Sequence, residues 1–296
     1  MKQRKIGIIG AGKVGLALGY LLQSKGYQLV GISSLSWEKT QEGAAFINTT
    51  PFADPLKLAQ EADCLFITTP DGQIGRVAEY LAAKGAIKKG QLIMHMSGAL
   101  PAEVLAPAKE KGAFIFSLHP LQTFADVKVA VQNLPGSFFA AQGDQEVFSW
   151  AAELVDDLEG EMAPITKEDK ALYHAGACVA CNYLVSLLDM ALAMYERIGI
   201  ARDKSLKALL PLVKGTVANL ENLGVPQALT GPIARGDEET IQGHLVALEK
   251  LAPKLRDLYS DLGTYTVEVG VAKGTLTPAK GEEIKNIFQE GRKENG

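Results

Sequence analysis

The chain has 296 residues, 47% hydrophobic and 22% charged, with a formal charge of −4. Such a composition belongs to an ordinary folded protein with a sizeable core, long enough for two domains. A negative balance without a dense Lys/Arg run argues against a nucleic-acid partner.

The N-terminus enters an apolar strand at once, leaving no room for a signal peptide. Ile6, Ile8 and Ile9 lead into Gly10-Ala-Gly12-Lys13-Val14-Gly15, a G-x-G-x-x-G pattern, and then a helix carrying Val14, Leu18, Leu21 and Leu22. The first glycine permits the tight turn, the second a close approach of backbone to a pyrophosphate, the third close packing of helix on strand. Unsatisfied N–H groups at the positive helix end then receive the anion. The second strand, about 28–33, ends Ser33-Ser34, where an NAD site usually has an acidic residue. Serines accept a 2′-phosphate without repelling it and Lys39 adds charge. NADP is therefore the expected cofactor, with NAD possible.

Strands follow at 64–69, 91–96, 113–118 and 137–141, alternating with helices near 36–47, 74–84 and 145–158. This alternation predicts a parallel sheet covered on both faces. Ligands of such sheets bind beyond the carboxyl ends of the strands. That rule selects Thr68-Thr69-Pro70-Asp71, where Thr69 and Pro70 run under the cofactor. It also selects His95-Met96-Ser97-Gly98 and Ser117-Leu118-His119-Pro120-Leu121-Gln122. His119 and Ser97 are candidate catalytic residues, and His95 and Gln122 candidate substrate contacts. Both histidines also fit structural roles.

From about Lys167 helical periodicity takes over. One long helix through Leu172, Val179, Leu187 and Met194 carries Lys170, Tyr173, His174 and Asn182. Lys170 and His174 share a face, and either can protonate or stabilise a developing alkoxide or amine. Asn182 is a candidate substrate contact too far along the helix to grip the same small group as Lys170. Cys178 and Cys181 have no partner pair with metal-ligand spacing and read as packing thiols; no metal is expected. Three cysteines form no disulfide framework, and no uninterrupted apolar run of about 18 residues appears. A cytoplasmic protein without a membrane span is therefore expected. Further helices fall at about 203–223, 237–262 and 278–289, with Asp237 and Thr277-Pro278 as caps. In the loop 228–237, Thr230 can donate to substrate, while Arg235 either pairs with a substrate carboxylate or braces Asp237. The prediction is an α/β Rossmann-type parallel sheet domain at 1–165 followed by an all-α domain at 166–296. The helices also suggest a homodimer. Residues 291–296 read as a loose tail.

Gly10 to Gly15, Thr69-Pro70-Asp71, His95-Met96-Ser97-Gly98, His119-Pro120-Leu121-Gln122-Thr123-Phe124, Tyr173-His174-Ala175 and Leu229 to Asp237 together resemble an uncharacterised bacterial family. That family joins a Rossmann-like domain to a C-terminal helical domain of unknown function. The resemblance implies an NADP-dependent oxidoreductase. More distantly the chain is similar to pyrroline-5-carboxylate reductases, ketopantoate reductases and 3-hydroxyacid dehydrogenases of the 6-phosphogluconate type. The latter two place a catalytic lysine where Lys170 stands, but their asparagine four residues on is here His174. His119-Pro120-Leu121 also echoes a segment of prephenate dehydrogenases. The expected activity is hydride transfer at a C=O or C=N bond of a small carboxylate-bearing substrate; the alternative is a non-catalytic dinucleotide sensor.

Overall fold

The computed structural model describes residues 4–290; the expected tail at 291–296 lies outside them. The chain divides into two compact units after Cys181. The first runs β1 (Ile6–Ile9), α1 (Lys13–Ser24), β2 (Leu29–Ser33), α2 (Trp37–Phe46), α3 (Pro55–Glu61), β3 (Cys64–Ile67), α4 (Asp71–Ala83) and β4 (Leu92–His95). It continues with α5 (Ala106–Lys109), β5 (Phe114–Pro120), α6 (Val127–Asn133), β6 (Phe138–Gly143), α7 (Phe148–Asp157), β7 (Glu161–Pro164) and α8 (Lys170–Ala180). The sequence reading divides the chain at 165/166 and so assigns α8 to the second part. Here α8 stays with the sheet, because Lys170 at its start is buried against the strand ends.

The seven strands form one sheet in the order β2-β1-β3-β4-β5-β6-β7. Strand order reverses at β1, with β2 on one side and β3 on the other, which marks the switch point of a doubly wound sheet. All neighbouring pairs are parallel except β5–β6, which is antiparallel. The sheet is thus mostly parallel, as expected, with one antiparallel neighbour. Alternation and apolar content set a strand's burial but carry no information on its direction. Successive side chains feed two cores. Cys64 and Phe66 of β3 join Ile8, Met94, Phe116 and Trp150 on one face. Leu65 and Ile67 join Ile9, Ile93 and Ile115 on the other.

The register decides where the chemistry lies. β4 ends with His95 opposite Ser117. β5 continues to Pro120, and this overhang is held by β6 alone, with Leu118, His119 and Pro120 opposite Ala141, Ala140 and Phe139.

The second unit is helical: α9 (Asn182–Arg197), α10 (Arg202–Leu223), α11 (Pro232–Arg235), α12 (Glu238–Leu251), α13 (Pro253–Lys273) and α14 (Pro278–Glu290). Ile241, Leu245, Val267, Ile284 and Phe288 form its core. The helix expected over 237–262 is two helices. Pro253 opens the second, and Ala252 before it leaves helical geometry at φ −148° and ψ 54°. Asp237 caps α12 by accepting from the Thr240 N–H at 3.1 Å, and Thr277 accepts from that of Lys280 at 3.2 Å. The expected long helix is interrupted at Cys181 (φ −110°, ψ −63°) between α8 and α9. Counted through that break, Lys170–Arg197 spans 28 residues, and an 18-residue stretch within it has mean hydropathy 1.7. Among the described residues it is the one helix long and apolar enough to cross a membrane, by length and composition only. The expectation of no such segment looked for an unbroken apolar run, whereas this helix tolerates isolated polar residues such as His174 and Asn182.

Phe66 is fully buried in the sheet core. Phe66→Ala is expected to cost about 3–5 kcal/mol, seen as a lower urea midpoint; an unchanged midpoint would contradict this packing.

Candidate active site

The glycine turn sits at the switch point. The Gly10 N–H donates to the Ser33 carbonyl at 2.8 Å, and the Thr68 hydroxyl donates to the Gly10 carbonyl at 2.8 Å. Gly10 has φ +121°, and a methyl group at Gly15 would overlap the Gly10 carbonyl and Thr68 Oγ1. Both positions thus require glycine for the protein's own packing. Gly12 differs. A methyl group there would meet no protein atom nearer than 3.9 Å, so the protein's own packing does not require glycine at this position. Gly12 also caps α1 without a side-chain hydrogen bond. The first helical bond is Leu16 N–H to Gly12 C=O at 2.9 Å, which leaves the N–H groups of Lys13, Val14 and Gly15 ahead of the ladder. This cradle fits a pyrophosphate.

Beside it lies a cavity of about 480 Å³ lined by Gly12, Lys13, Lys39 and Lys128, with Glu42 and Asp126. Ser33 is buried, and its carbonyl shapes the turn. Ser34 lies just beyond, its N–H held by Thr40 Oγ1 at 3.0 Å. Pro70 precedes α4, and the hydroxyl oxygen of neighbouring Thr69 is buried without a partner.

The second constellation gathers at the ends of β4, β5 and the start of α8. Lys170, 1% exposed, donates to the Ser97 carbonyl at 3.0 Å and to Ser117 Oγ at 2.5 Å. The Ser117 hydroxyl in turn donates to the Ser97 carbonyl at 3.4 Å, closing a triangle. Desolvation pushes the Lys170 ammonium down to about 8, while Asp71 pulls it back up. Ser97 Oγ donates to Asp71 at 2.9 Å and accepts from the N–H groups of Ala99 and Leu100. His95 Nδ1 accepts from the Ser97 N–H at 3.1 Å, so Nε2 carries the proton toward the Pro101 carbonyl at 3.2 Å. His95 is thereby a brace for its loop.

His119 Nδ1 lies 2.8 Å from the Tyr173 hydroxyl, and its ring stands edge-on to those of Tyr173 and His174. Burial first, and Lys170 second, push both His95 and His119 down to about 4. Burial raises the Tyr173 phenol to about 12. His174 Nδ1 is buried with no hydrogen-bond partner.

The structure thus brings together Ser97, His95, His119, Lys170 and His174 of the expected site residues. It adds Asp71, Gly98, Ser117 and Tyr173. Tyr173 had a signal in the sequence: it stands three residues after Lys170 and shares its helix face. Gln122, on the loop after β5, is spent within that region, donating to the Asn133 carbonyl at 3.0 Å. Asn182, Thr230 and Arg235 belong to the second unit. Asn182 opens α9 and is exposed, as is Thr230. Arg235 lies 3.7 Å from Asp237, the bracing arrangement. Among the described residues no three His, Cys, Asp or Glu side chains are grouped to hold a metal ion.

Residues 1–120 match a Rossmann-like domain, and residues 137–266 match a domain of unknown function, DUF2520. Among curated proteins no sequence matches the chain. Protein TM1727 from Thermotoga maritima is similar in fold, with 23% identity over 90% of this chain and 99% of that one, at a TM-score of 0.72. A pyrroline carboxylate reductase from Plasmodium falciparum, solved with NADP bound, is 17% identical over 97% and 99%, at 0.56. A reductive aminase from Aspergillus terreus, in complex with NADPH and ethyl-5-oxohexanoate, is 16% identical over 99% and 94%, at 0.61. At these identities the likeness establishes a shared fold.

The glycines give a paired prediction. Gly15→Ala is expected to lower the melting temperature by several degrees, since overpacking costs about 1–3 kcal/mol. Gly12→Ala should leave it unchanged and weaken dinucleotide binding at least tenfold in a fluorescence titration. The histidines give a pH signature. From about pH 4 to 6.5 the unfolded chain binds protons at His95 that the folded one excludes, so stability rises with pH there. The slope is up to about 1.4 kcal/mol per pH unit, and urea midpoints measured across that range in wild type and His95→Gln would reveal it as a flatter profile in the variant.

Proposed function

We propose that this chain, a Rossmann-like domain joined to a DUF2520 domain, is an NADP-dependent oxidoreductase acting on a C=O or C=N bond of a small carboxylate-bearing substrate. One observation carries the reading: an uncapped helix N-terminus behind an open Gly12 and a cluster of Lys170, His119, Tyr173 and His174 border the same edge of one sheet. The bound nicotinamide would supply or accept the hydride. The protein's share is to hold the dinucleotide on the Lys13–Gly15 N–H groups and to stabilise charge developing at the substrate. Lys170 puts a positive charge beneath the site, and Lys170 or His174 handles the proton. Lys39 and Lys128, beside the Gly12 cradle, are the proposed partners of a 2′-phosphate.

Titration with NADPH and NADH is the direct test. Lys39→Glu is expected to weaken NADPH at least tenfold, about 1.4 kcal/mol, with NADH little changed. His174→Ala is expected to lower turnover at least about hundredfold while NADPH binding persists. Unaltered turnover in both His174→Ala and Lys170→Ala would sink the proton assignment.

A dinucleotide sensor is the second reading, favoured by the closed triangle around Lys170, whose amine is already engaged twice. NADPH binding without oxidation of it by any 2-ketoacid or cyclic imine would select the sensor. We also propose a homodimer through the second unit, where Tyr183, Val185 and Leu212 present broad apolar surface. Light scattering in detergent-free buffer that returns a single-chain mass at every concentration removes it.

A further inference from the structure

The second unit holds a cavity of its own, of about 490 Å³, walled by α9, α12 and the start of α13. The break between α12 and α13 shapes it. Ala252 leaves helical geometry and Pro253 starts α13, so that Leu248 and Leu251 of α12 face the same space as Tyr259 of α13. Met194 and Tyr195 of α9 form a further side. Leu248 and Ala252 are buried, whereas Ile198 and Leu251 are 62% and 42% exposed. The space therefore runs from a buried floor to an exposed apolar lip. Its volume falls in the range of small-molecule sites, about 300–1,000 Å³.

Its polar groups are few and differ in state. The Tyr259 hydroxyl and His244 Nδ1 satisfy one another at 2.7 Å, and the Tyr259 ring stands edge-on to Phe288 of the unit's core. That wall is fixed and asks for no polar occupant. Arg197 is different. It lines the cavity from the last turn of α9 and, among the described residues, has no ion-pair partner. Glu196 and Glu249, the acids beside this lining in the chain, lie 3.8 Å from Arg202 and 3.0 Å from Arg256. A guanidinium beside an apolar cavity selects the charge of its guest, offering parallel donors to an anion and repelling a cation. One such charge balances a carboxylate more evenly than a phosphate monoester, which carries nearly two.

We propose that this cavity is a binding site for a small amphipathic carboxylate, its apolar body against Met194, Leu248 and Leu251 and its carboxylate on Arg197. The site lies wholly within the second unit, whereas the dinucleotide cradle belongs to the first. The inference is therefore independent of the oxidoreductase reading.

The test is calorimetric titration of the full chain, without dinucleotide, using butanoate, octanoate and 1-octanol. Saturable octanoate binding is expected, at least about tenfold tighter than that of butanoate or 1-octanol. No saturable octanoate binding, or equal affinity for all three, overturns the proposal. Because the first unit is also proposed to take a carboxylate, the site must be located as well. In protein labelled with ¹³C at the methionine methyls, octanoate should shift the Met194 signal, identified by its loss in Met194→Leu. An unmoved Met194 signal with octanoate bound overturns the proposal. Arg197→Gln should weaken octanoate at least about tenfold and leave 1-octanol within about twofold. Unchanged octanoate affinity would confine Arg197 to its helix end and overturn the carboxylate site. Ala247→Phe, on the cavity wall, should abolish octanoate binding with the melting temperature within a few degrees; retained binding overturns the proposal. Where that variant misfolds, Arg197→Gln and the Met194 signal decide. Light scattering examines the competing occupant. A wild-type dimer that Ala247→Phe converts to single chains would seat a second copy on the cavity and overturn the proposal.

Discussion

A buried ammonium holds this unit's working edge together. Lys170 reaches from the first turn of α8 to a backbone carbonyl after β4 and a hydroxyl on β5. An unpartnered charge in such a place would be very costly. Two acceptors and the nearby Asp71 keep it in its charged form at neutral pH despite burial. Three and four residues on, Tyr173 and His174 inherit their positions from that anchor, and His119 is packed edge-on against both rings. In the proposed reaction, chemistry and architecture therefore share one group. A change at Lys170 acts on both, and reading one from the other requires a fold measurement alongside any rate.

The sheet supplies the remaining alignment. Its strand order reverses at β1, so the loops after β1 and β3 open at the same place. Thr68 stitches them together by donating to Gly10. The glycines of the turn consequently divide by purpose. Gly10 and Gly15 are bare because protein atoms crowd them, and Gly12 is bare though no protein atom does. The second unit has its own core of Ile241, Val267, Ile284 and Phe288.

The amino-acid sequence discloses the parts of this architecture that periodicity or fixed spacing encodes. The glycine turn, the alternation of apolar strands with helices and the caps at Asp237 and Thr277 are of that kind. Strand direction is not, and so β6 emerges antiparallel where a parallel neighbour was expected. Helix interruptions are only partly visible: Pro253 marks one in plain sight, while the break at Cys181 has no such residue. Within the site, polar residues beyond strand ends are readable as a group, since topology alone places them. Their individual duties are not. His95 proves to be a brace through both ring nitrogens, a fact that depends on Ser97 and Pro101 folding back over it.

The overhang of β5 has a consequence for how such a site changes over time. His119 stands on a stretch of strand that has lost its neighbour on the β4 side and is paired only with β6. The residues opposite it there, Ala140 and Ala141, are fully buried and carry no functional group. Pose and rigidity of the His119 imidazole thus depend on its pairing with β6. Substitutions in β6 can tilt or loosen that ring while every polar residue of the site stays the same. In such a protein, differences in activity between relatives can originate in alanines, and a comparison restricted to polar side chains would miss them.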